Sequence, residues 1–116
     1  MPERYVPLSE TFSTADAESP MLAFEQGTLR LRFLDWQERE VRLRFPETVA
    51  FRWEDGDAAV AAEHRNDASY RVEDSGWIRR LRESGTVGEA DAVTHFKLCF
   101  NALGVLEVIA ANLEVG

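Results

Sequence analysis

The chain has 116 residues, 45% of them apolar, a size and composition that indicate a single globular domain and exclude a disordered chain. Its 21 acidic and 13 basic residues give a net charge of -8, so its long-range field repels nucleic acid and anionic membranes and attracts basic partners. The single cysteine, Cys99, excludes an internal disulfide. Since the sequence shows neither a signal-peptide pattern nor the roughly 20 apolar residues that span a bilayer, we expect a soluble, cytoplasmic protein.

The first 20 residues predict a loosely organised segment of this domain, which extends over residues 1–116. Three prolines interrupt the segment, and small and polar residues dominate between them. Tyr5, Val6 and Leu8 allow a short edge strand. No internal repeat and no linker divides the remaining chain, so the sequence predicts one folding unit.

Alternating apolar and polar residues then predict a three-stranded meander. Its first strand is Met21–Glu25, and a Gln26-Gly27 turn pairs Phe24 with Leu29. The next two strands need a connector with an odd number of residues, because only then do both place their apolar side chains on one face. That face carries Leu29, Leu31, Phe33, Val41, Leu43 and Phe45, and the opposite face carries Arg30, Arg32, Arg42 and Arg44.

A fourth strand follows, and a mixed segment comes after it. The strand is Thr48–Glu54, and its inward side chains are Val49, Phe51 and Trp53. Residues 54–69 mix acids with small residues and predict a surface excursion. A short strand around Tyr70 and Val72 ends this part of the chain.

The segment after residue 73 predicts the helix of the fold. Asp74 and Ser75 are favourable N-cap residues, and Gly85 suits the position after the last turn. Between them one apolar stripe lies against arginines on the other side, which is typical of a helix lying on a sheet. The stripe is Trp77, Ile78 and Leu81, and the arginines are Arg79, Arg80 and Arg82.

Two further alternating runs predict a C-terminal hairpin. A three-residue loop, Ala102-Leu103-Gly104, pairs Phe100 with Leu106 and places Gly104 at a positive φ. Apolar residues on both faces of the last strand indicate that it is covered on both sides or lies centrally in its sheet. The sequence therefore predicts an α+β fold: a mostly antiparallel β-sheet or compact sandwich of about six strands, with one helix inserted before the C-terminal hairpin.

Few residues can support metal or nucleophilic chemistry. His95 and Cys99 share one face of a strand but lie about 13 Å apart along it, too far to share an ion or a proton. We interpret His95 as a histidine at the rim of the sheet and Cys99 as a small buried apolar residue. The acidic run Glu54–Asp57 lacks the ligand spacing of a calcium loop, and His64 lies in the same excursion. The sequence predicts no catalytic group, metal or cofactor.

The arginine side of the meander leaves two interpretations open. The favoured one is a solvent-exposed sheet face, on which long side chains cover the backbone while their charged ends stay in water. In the other, guanidinium groups bind an anion or an acidic partner through paired hydrogen bonds. Nucleic acid is disfavoured, because apart from Trp36 no aromatic residue accompanies the arginines and the chain is acidic overall.

Three functions remain as hypotheses. The first is a small non-enzymatic, bacterial-type interaction protein that binds a protein partner or a second copy through a charged sheet face or an exposed edge. The second is a small-ligand binder or weak enzyme with a site between sheet and helix, near Trp53, Trp77 and His95. The third is an immunity-type protein that neutralises a basic toxin through the acidic residues 54–74.

Overall fold

The computed structural model of the protein describes residues 2–8, 12–56, 65, 67–101 and 103–116. Predictions that rest on Asp57, His64 and Ala102 lie outside these residues. The strands are β1 (Arg4–Pro7), β2 (Glu18–Glu25), β3 (Thr28–Leu34), β4 (Glu40–Phe45), β5 (Ala50–Asp55), β6 (Ser69–Glu73), β7 (Thr94–Cys99), β8 (Gly104–Ala110) and β9 (Glu114–Val115), and the helix α1 (Gly76–Glu83) lies between β6 and β7.

These strands form two antiparallel sheets. One sheet has the order β1-β6-β7-β8-β5, and the other has the order β2-β3-β4-β9. The predicted α+β fold, mostly antiparallel and with a helix before the C-terminal hairpin, is confirmed. The described residues form nine strands rather than about six. The short edge strand allowed near Tyr5 is present as β1, whereas sequence alternation does not resolve a piece as short as the two-residue β9.

The meander of β2, β3 and β4 follows the predicted register. Phe24 pairs with Leu29 across a turn in which Gln26 and Gly27 have φ values of 51° and 79°, as a two-residue hairpin turn of this hand requires. Five residues separate β3 from β4. The predicted odd-length connector is therefore confirmed.

Asp35 organises that connector. Its buried carboxylate accepts the backbone N–H groups of Gln37 and Arg39, each at 2.9 Å, and the Nε of Arg39 adds a contact at 3.3 Å. The N–H of Arg39 is the largest influence on the pKa of Asp35, and together with the other donors it lowers that pKa although burial opposes it. The turn thus closes around an ionised side chain.

The two sheets pack through their apolar faces. Phe33 of β3 contacts Phe100, just after β7, with ring centres 5.2 Å apart, and Phe45 contacts Phe96 at 5.6 Å. The predicted apolar residues of the β3–β4 hairpin are all buried in this core: Leu29, Leu31, Phe33, Val41, Leu43 and Phe45.

The inward positions near β5 are less buried than the sequence predicts. Val49 and Phe51 are 38% and 39% exposed, because β5 is an edge strand of its sheet. The Phe51 ring lies 5.5 Å from that of Phe24, on the edge strand β2 of the other sheet. The pair therefore bridges one open side of the sandwich. β2 also has an irregular pairing where Ser19 adopts a positive φ of 54°.

Strand β8 lies between β7 and β5, and all seven of its residues are buried. The predicted coverage of this strand on both faces is confirmed. One face belongs to the core between the sheets. The opposite face lies on the side of α1, whose Trp77 contacts His95 of the neighbouring strand β7.

The loop between β7 and β8 differs from the prediction. Leu98, and not Phe100, pairs with Leu106, and the N–H of Phe100 donates to the carbonyl of Gly104. The positive φ falls at Asn101, at 52°, instead of at Gly104. The predicted register is wrong by two residues. A slip of two leaves every side chain on the same face, so alternation does not reveal it.

The structure requires glycine at position 104 because of close packing, and not because of a positive φ. A β-carbon at this position would lie 2.2 Å from a ring carbon of Trp53. The Trp53 ring in turn packs 5.7 Å from the ring of Phe100, which is fully buried. The indole therefore has little room to move away from a larger residue.

We expect Gly104→Ala to destabilise the protein by about 2 kcal/mol, since overpacking a core costs about 1–3 kcal/mol. Gly76→Ala is the matched control, because a β-carbon there meets only side-chain ends, at 3.5 and 3.7 Å. Urea unfolding followed by circular dichroism measures the free energy of unfolding of both variants. Equal stabilities would contradict the close packing of Trp53 on Gly104.

Candidate functional site

The outer face of the four-stranded sheet carries the four arginines that the sequence singles out. Arg30 lies opposite Arg44, and Arg32 lies opposite Arg42. All four are exposed, and we call them the arginine face. Like charges directly opposite each other on antiparallel strands are destabilising, so this surface favours nearby acidic groups.

Three of these arginines share two carboxylates of the same chain. Glu40 lies 3.5 Å from Arg32 and 3.2 Å from Arg42. Glu114 of β9 accepts the Nε of Arg44 at 3.0 Å. Arg30 forms no ion pair with any residue that the structure describes. Each exposed pair contributes at most about 1 kcal/mol, and the positive charge of Arg30 stays uncompensated by such a pair.

A groove of about 610 Å³ runs along the arginine face. Met21 and Ala23 of β2 form an apolar part of its wall. Met21 is 56% exposed, and its sulfur accepts a hydrogen bond from Arg32 at 3.1 Å. Guanidinium groups beside apolar surface suit a ligand that carries both carboxylate and aliphatic groups.

The outer face of the five-stranded sheet holds a second cluster, which the sequence did not predict. Ser75 precedes α1, His95 lies in β7 and Glu107 in β8. The Oγ of Ser75 lies 2.7 Å from Nδ1 of His95, and Nε2 of His95 lies 2.8 Å from Oε1 of Glu107. His95 and Glu107 are 3% and 8% exposed. We call these three residues the Ser–His–Glu line.

Arg52 of β5 holds the other oxygen of Glu107. Its Nε donates to Oε2 at 3.0 Å, and its guanidinium lies 4.2 Å from the centre of the Trp77 ring. Burial raises the pKa of Glu107, but the hydrogen bond and charge of His95, followed by those of Arg52, outweigh burial and lower that pKa to about 2. Glu107 is therefore ionised at neutral pH.

The charge of Glu107 determines which atoms of the Ser–His–Glu line donate hydrogen bonds. An ionised carboxylate only accepts, so Nε2 of His95 donates to Glu107, and Nδ1, whenever it carries no proton, accepts from the Ser75 hydroxyl. The same Ser75 oxygen accepts the N–H of Ile78 at 3.1 Å as the N-cap of α1. Hydroxyl, imidazole and carboxylate are thus connected in an order that lets a proton pass from Ser75 to His95.

Two of the three residues predicted to line a pocket between sheet and helix lie together. The ring of Trp77 meets that of His95 edge-on at 5.5 Å. Trp53 lies on the opposite face of the sheet, where it packs against Phe100 in the core. The interpretation of His95 as a rim histidine is wrong, because its side chain is covered. Cys99 is buried as predicted, and burial raises the pKa of its thiol to about 11.

An open cavity of about 640 Å³ lies beside Trp77, between α1 and the five-stranded sheet. Tyr5, Arg52 and Lys97 belong to its wall, and the ammonium group of Lys97 lies 5.1 Å from the centre of the Tyr5 ring. Acidic and basic side chains both line this cavity. Its charge therefore selects neither anions nor cations.

The acidic surface considered for a basic toxin, residues 54–74, is only partly described. Within the described part, Asp67 and Glu73 both pair with arginines of the same chain. These two acids are already neutralised and offer little free negative charge. No three His, Cys, Asp or Glu side chains within the described ranges are grouped so that they could hold a metal ion.

Comparisons with known proteins identify no relative of this chain. No family model matches it, and neither a curated protein nor a solved structure does. Among the described residues no helix has the length and apolar character needed to cross a membrane. Function is therefore inferred from side-chain geometry and charge.

We expect a Glu107-dependent loss of stability on acidification. The pKa of Glu107 is about 2 in the folded protein against an ordinary value of 4.5. Its carboxylate therefore stabilises the fold fully above about pH 4.5, and this contribution, roughly 3 kcal/mol, is lost as the pH falls through about 2. Glu107→Gln should be less stable than wild type by about that amount at pH 7, and the difference should shrink towards pH 2.

Urea unfolding at neutral and at strongly acidic pH measures this difference. Glu114→Gln is the control, since the carboxylate of Glu114 lies on an exposed surface and its removal should cost less than about 1 kcal/mol. If Glu107→Gln lowered the free energy of unfolding by the same amount at both pH values, this result would contradict the account of an ionised, buried carboxylate.

Proposed function

We propose that the protein is an interaction domain that binds an acidic protein segment on the arginine face. The observation that carries this proposal is the pairing of Arg30 with Arg44, and of Arg32 with Arg42, on an exposed sheet of a chain whose net charge is -8. Facing arginines repel each other, and Glu40 and Glu114 pair with only three of the four. Partner carboxylates placed among them remove that repulsion and form charged hydrogen bonds.

The two acidic residues of the same chain that pair with the arginine face leave one side of it without a carboxylate. Glu40 lies at the turn end of β4, and Glu114 lies on β9, beyond β4. Arg30 lies on the β2 side, where its cross-strand neighbour is Ala23. A partner carboxylate at Arg30 meets a guanidinium without an internal ion pair, and planar two-point contact with such a group favours carboxylates.

The groove favours a protein segment over nucleic acid. None of the described residues that line it is aromatic, so it offers no ring on which a base can stack. Trp36 is 59% exposed but lies in the turn after β3. The overall charge of -8 also repels a dense polyanion more strongly than a peptide with separated carboxylates. Aliphatic parts of such a peptide match Met21 and Ala23.

Binding of a fluorescein-labelled deca-glutamate peptide, followed by fluorescence anisotropy at low ionic strength, tests the proposal. We expect Arg30→Glu/Arg42→Glu to weaken binding by about tenfold or more, which corresponds to at least about 1.4 kcal/mol. The control is Arg79→Glu/Arg80→Glu, which reverses two exposed arginines on α1 and makes the same change in net charge. The control should bind nearly as tightly as wild type.

Three results would overturn the proposal. Equal losses in both double variants would show that only net charge matters. A thymidine oligonucleotide of the same charge that binds as tightly as the peptide would remove the preference for a protein partner. A dimer in sedimentation equilibrium that Arg30→Glu/Arg42→Glu dissociates would show that a second copy occupies this surface instead.

A further inference from the structure

The Ser–His–Glu line has the connectivity of an activated nucleophile. We propose that Ser75 attacks the carbonyl carbon of a small carboxylic ester and accepts its acyl group, with His95 as general base and Glu107 as the positioning residue for His95. This activity is independent of the proposed function, because the line lies on the other sheet and shares no residue with the arginine face.

The distances meet the requirement for such a nucleophile. Serine needs a base within about 2.6–3.2 Å and a third group that orients the base. The Ser75–His95 and His95–Glu107 contacts are 2.7 and 2.8 Å. Capping of α1 uses the Ser75 oxygen only as an acceptor, from Ile78. The cap therefore does not explain why the same oxygen also lies within hydrogen-bond distance of an imidazole nitrogen.

The surroundings fix the imidazole in this position. Arg52 holds the second oxygen of Glu107, and the edge of Trp77 packs against the His95 ring. The ring is thereby held with Nδ1 towards Ser75. When His95 takes up a proton, the carboxylate of Glu107 stabilises the imidazolium that forms.

The route by which a substrate would reach Ser75 is an open depression of about 560 Å³ on the outside of the fold. Ser75 and His95, which are 9% and 3% exposed, both line it, and its wall also includes Arg4 and Arg79. The guanidinium of Arg79 favours the negative charge that develops on the carbonyl oxygen, whereas Arg4 is already paired with Glu73 at 2.7 Å.

The backbone donor that follows Ser75 already binds an anionic oxygen. The N–H of Gly76 donates to Oε2 of the exposed Glu3 at 2.9 Å. We assign to this N–H the binding of the carbonyl oxygen as it becomes negative, after Glu3 moves aside.

The reaction balances without a cofactor. As the bond between Ser75 Oγ and the carbonyl carbon forms, the serine proton passes to Nδ1 of His95 and the carbonyl π electrons move to oxygen. Collapse of this intermediate expels the alcohol oxygen, which takes the proton from His95. Water then repeats the attack on the acyl-serine, with His95 again as base, and releases the carboxylic acid and free Ser75.

Reaction of the whole protein with a fluorophosphonate probe, followed by peptide mass mapping, tests the proposal. Ser75 should bond to phosphorus with loss of fluoride. Ser75→Asn keeps a capping oxygen but lacks the hydroxyl, so it should not be labelled at this position. His95→Gln should slow labelling of Ser75 by about 100-fold or more. Ser84→Ala removes another hydroxyl at the end of the same helix and should react like wild type.

The Glu107→Gln variant distinguishes a role of Glu107 in positioning His95 from a purely structural role. We expect Ser75 of the variant to be labelled more slowly. The increase of the labelling rate with pH should also begin at a lower pH, because the imidazolium loses its partner carboxylate. Circular dichroism establishes that each variant is folded. The absence of an adduct on Ser75 in the folded wild type, or an unchanged rate in folded His95→Gln, would overturn the proposal, as would an unchanged pH profile in Glu107→Gln.

Discussion

The charge of Glu107 is the constraint on which much of this structure depends. The carboxylate lies in β8, whose residues are all buried, where an unpaired ionised group would cost several kcal/mol. Arg52 and His95, on the two neighbouring strands, supply its partners. His95 in turn contacts Ser75, which caps α1. One carboxylate thus connects three strands and, through His95, is linked to the residue that caps α1.

The meander could be predicted from the sequence because its determinants are local. Period-two alternation assigns each residue of β3 and β4 to a face of the sheet. Because both strands must bury the same face, the connector between them must have an odd number of residues. The role of Asp35 could not be predicted in this way. Its hydrogen bonds to Gln37 and Arg39 depend on a turn conformation that alternation does not specify.

The Ser–His–Glu line was missed because of the register error in the last hairpin. The predicted pairing of Phe100 with Leu106 places Glu107 opposite Cys99, about 13 Å along the strand from His95. In the structure Glu107 pairs with Lys97, and His95 becomes its diagonal neighbour. The available signal was Glu107, the one charged residue of the otherwise apolar strand β8. The contact of His95 with Ser75 depends on how the helix packs, which no local pattern specifies.

The contact between Phe24 and Phe51 affects how this molecule meets other chains. Open strand edges expose N–H and C=O groups that can pair with a foreign strand and lead to aggregation. On one side of the sandwich the edge strands β2 and β5 are bridged by these rings, and Ser19 interrupts the regular pairing of β2. Strand addition is therefore disfavoured on this side. A strand that approached there would have to accommodate the two rings and the break in the pairing of β2.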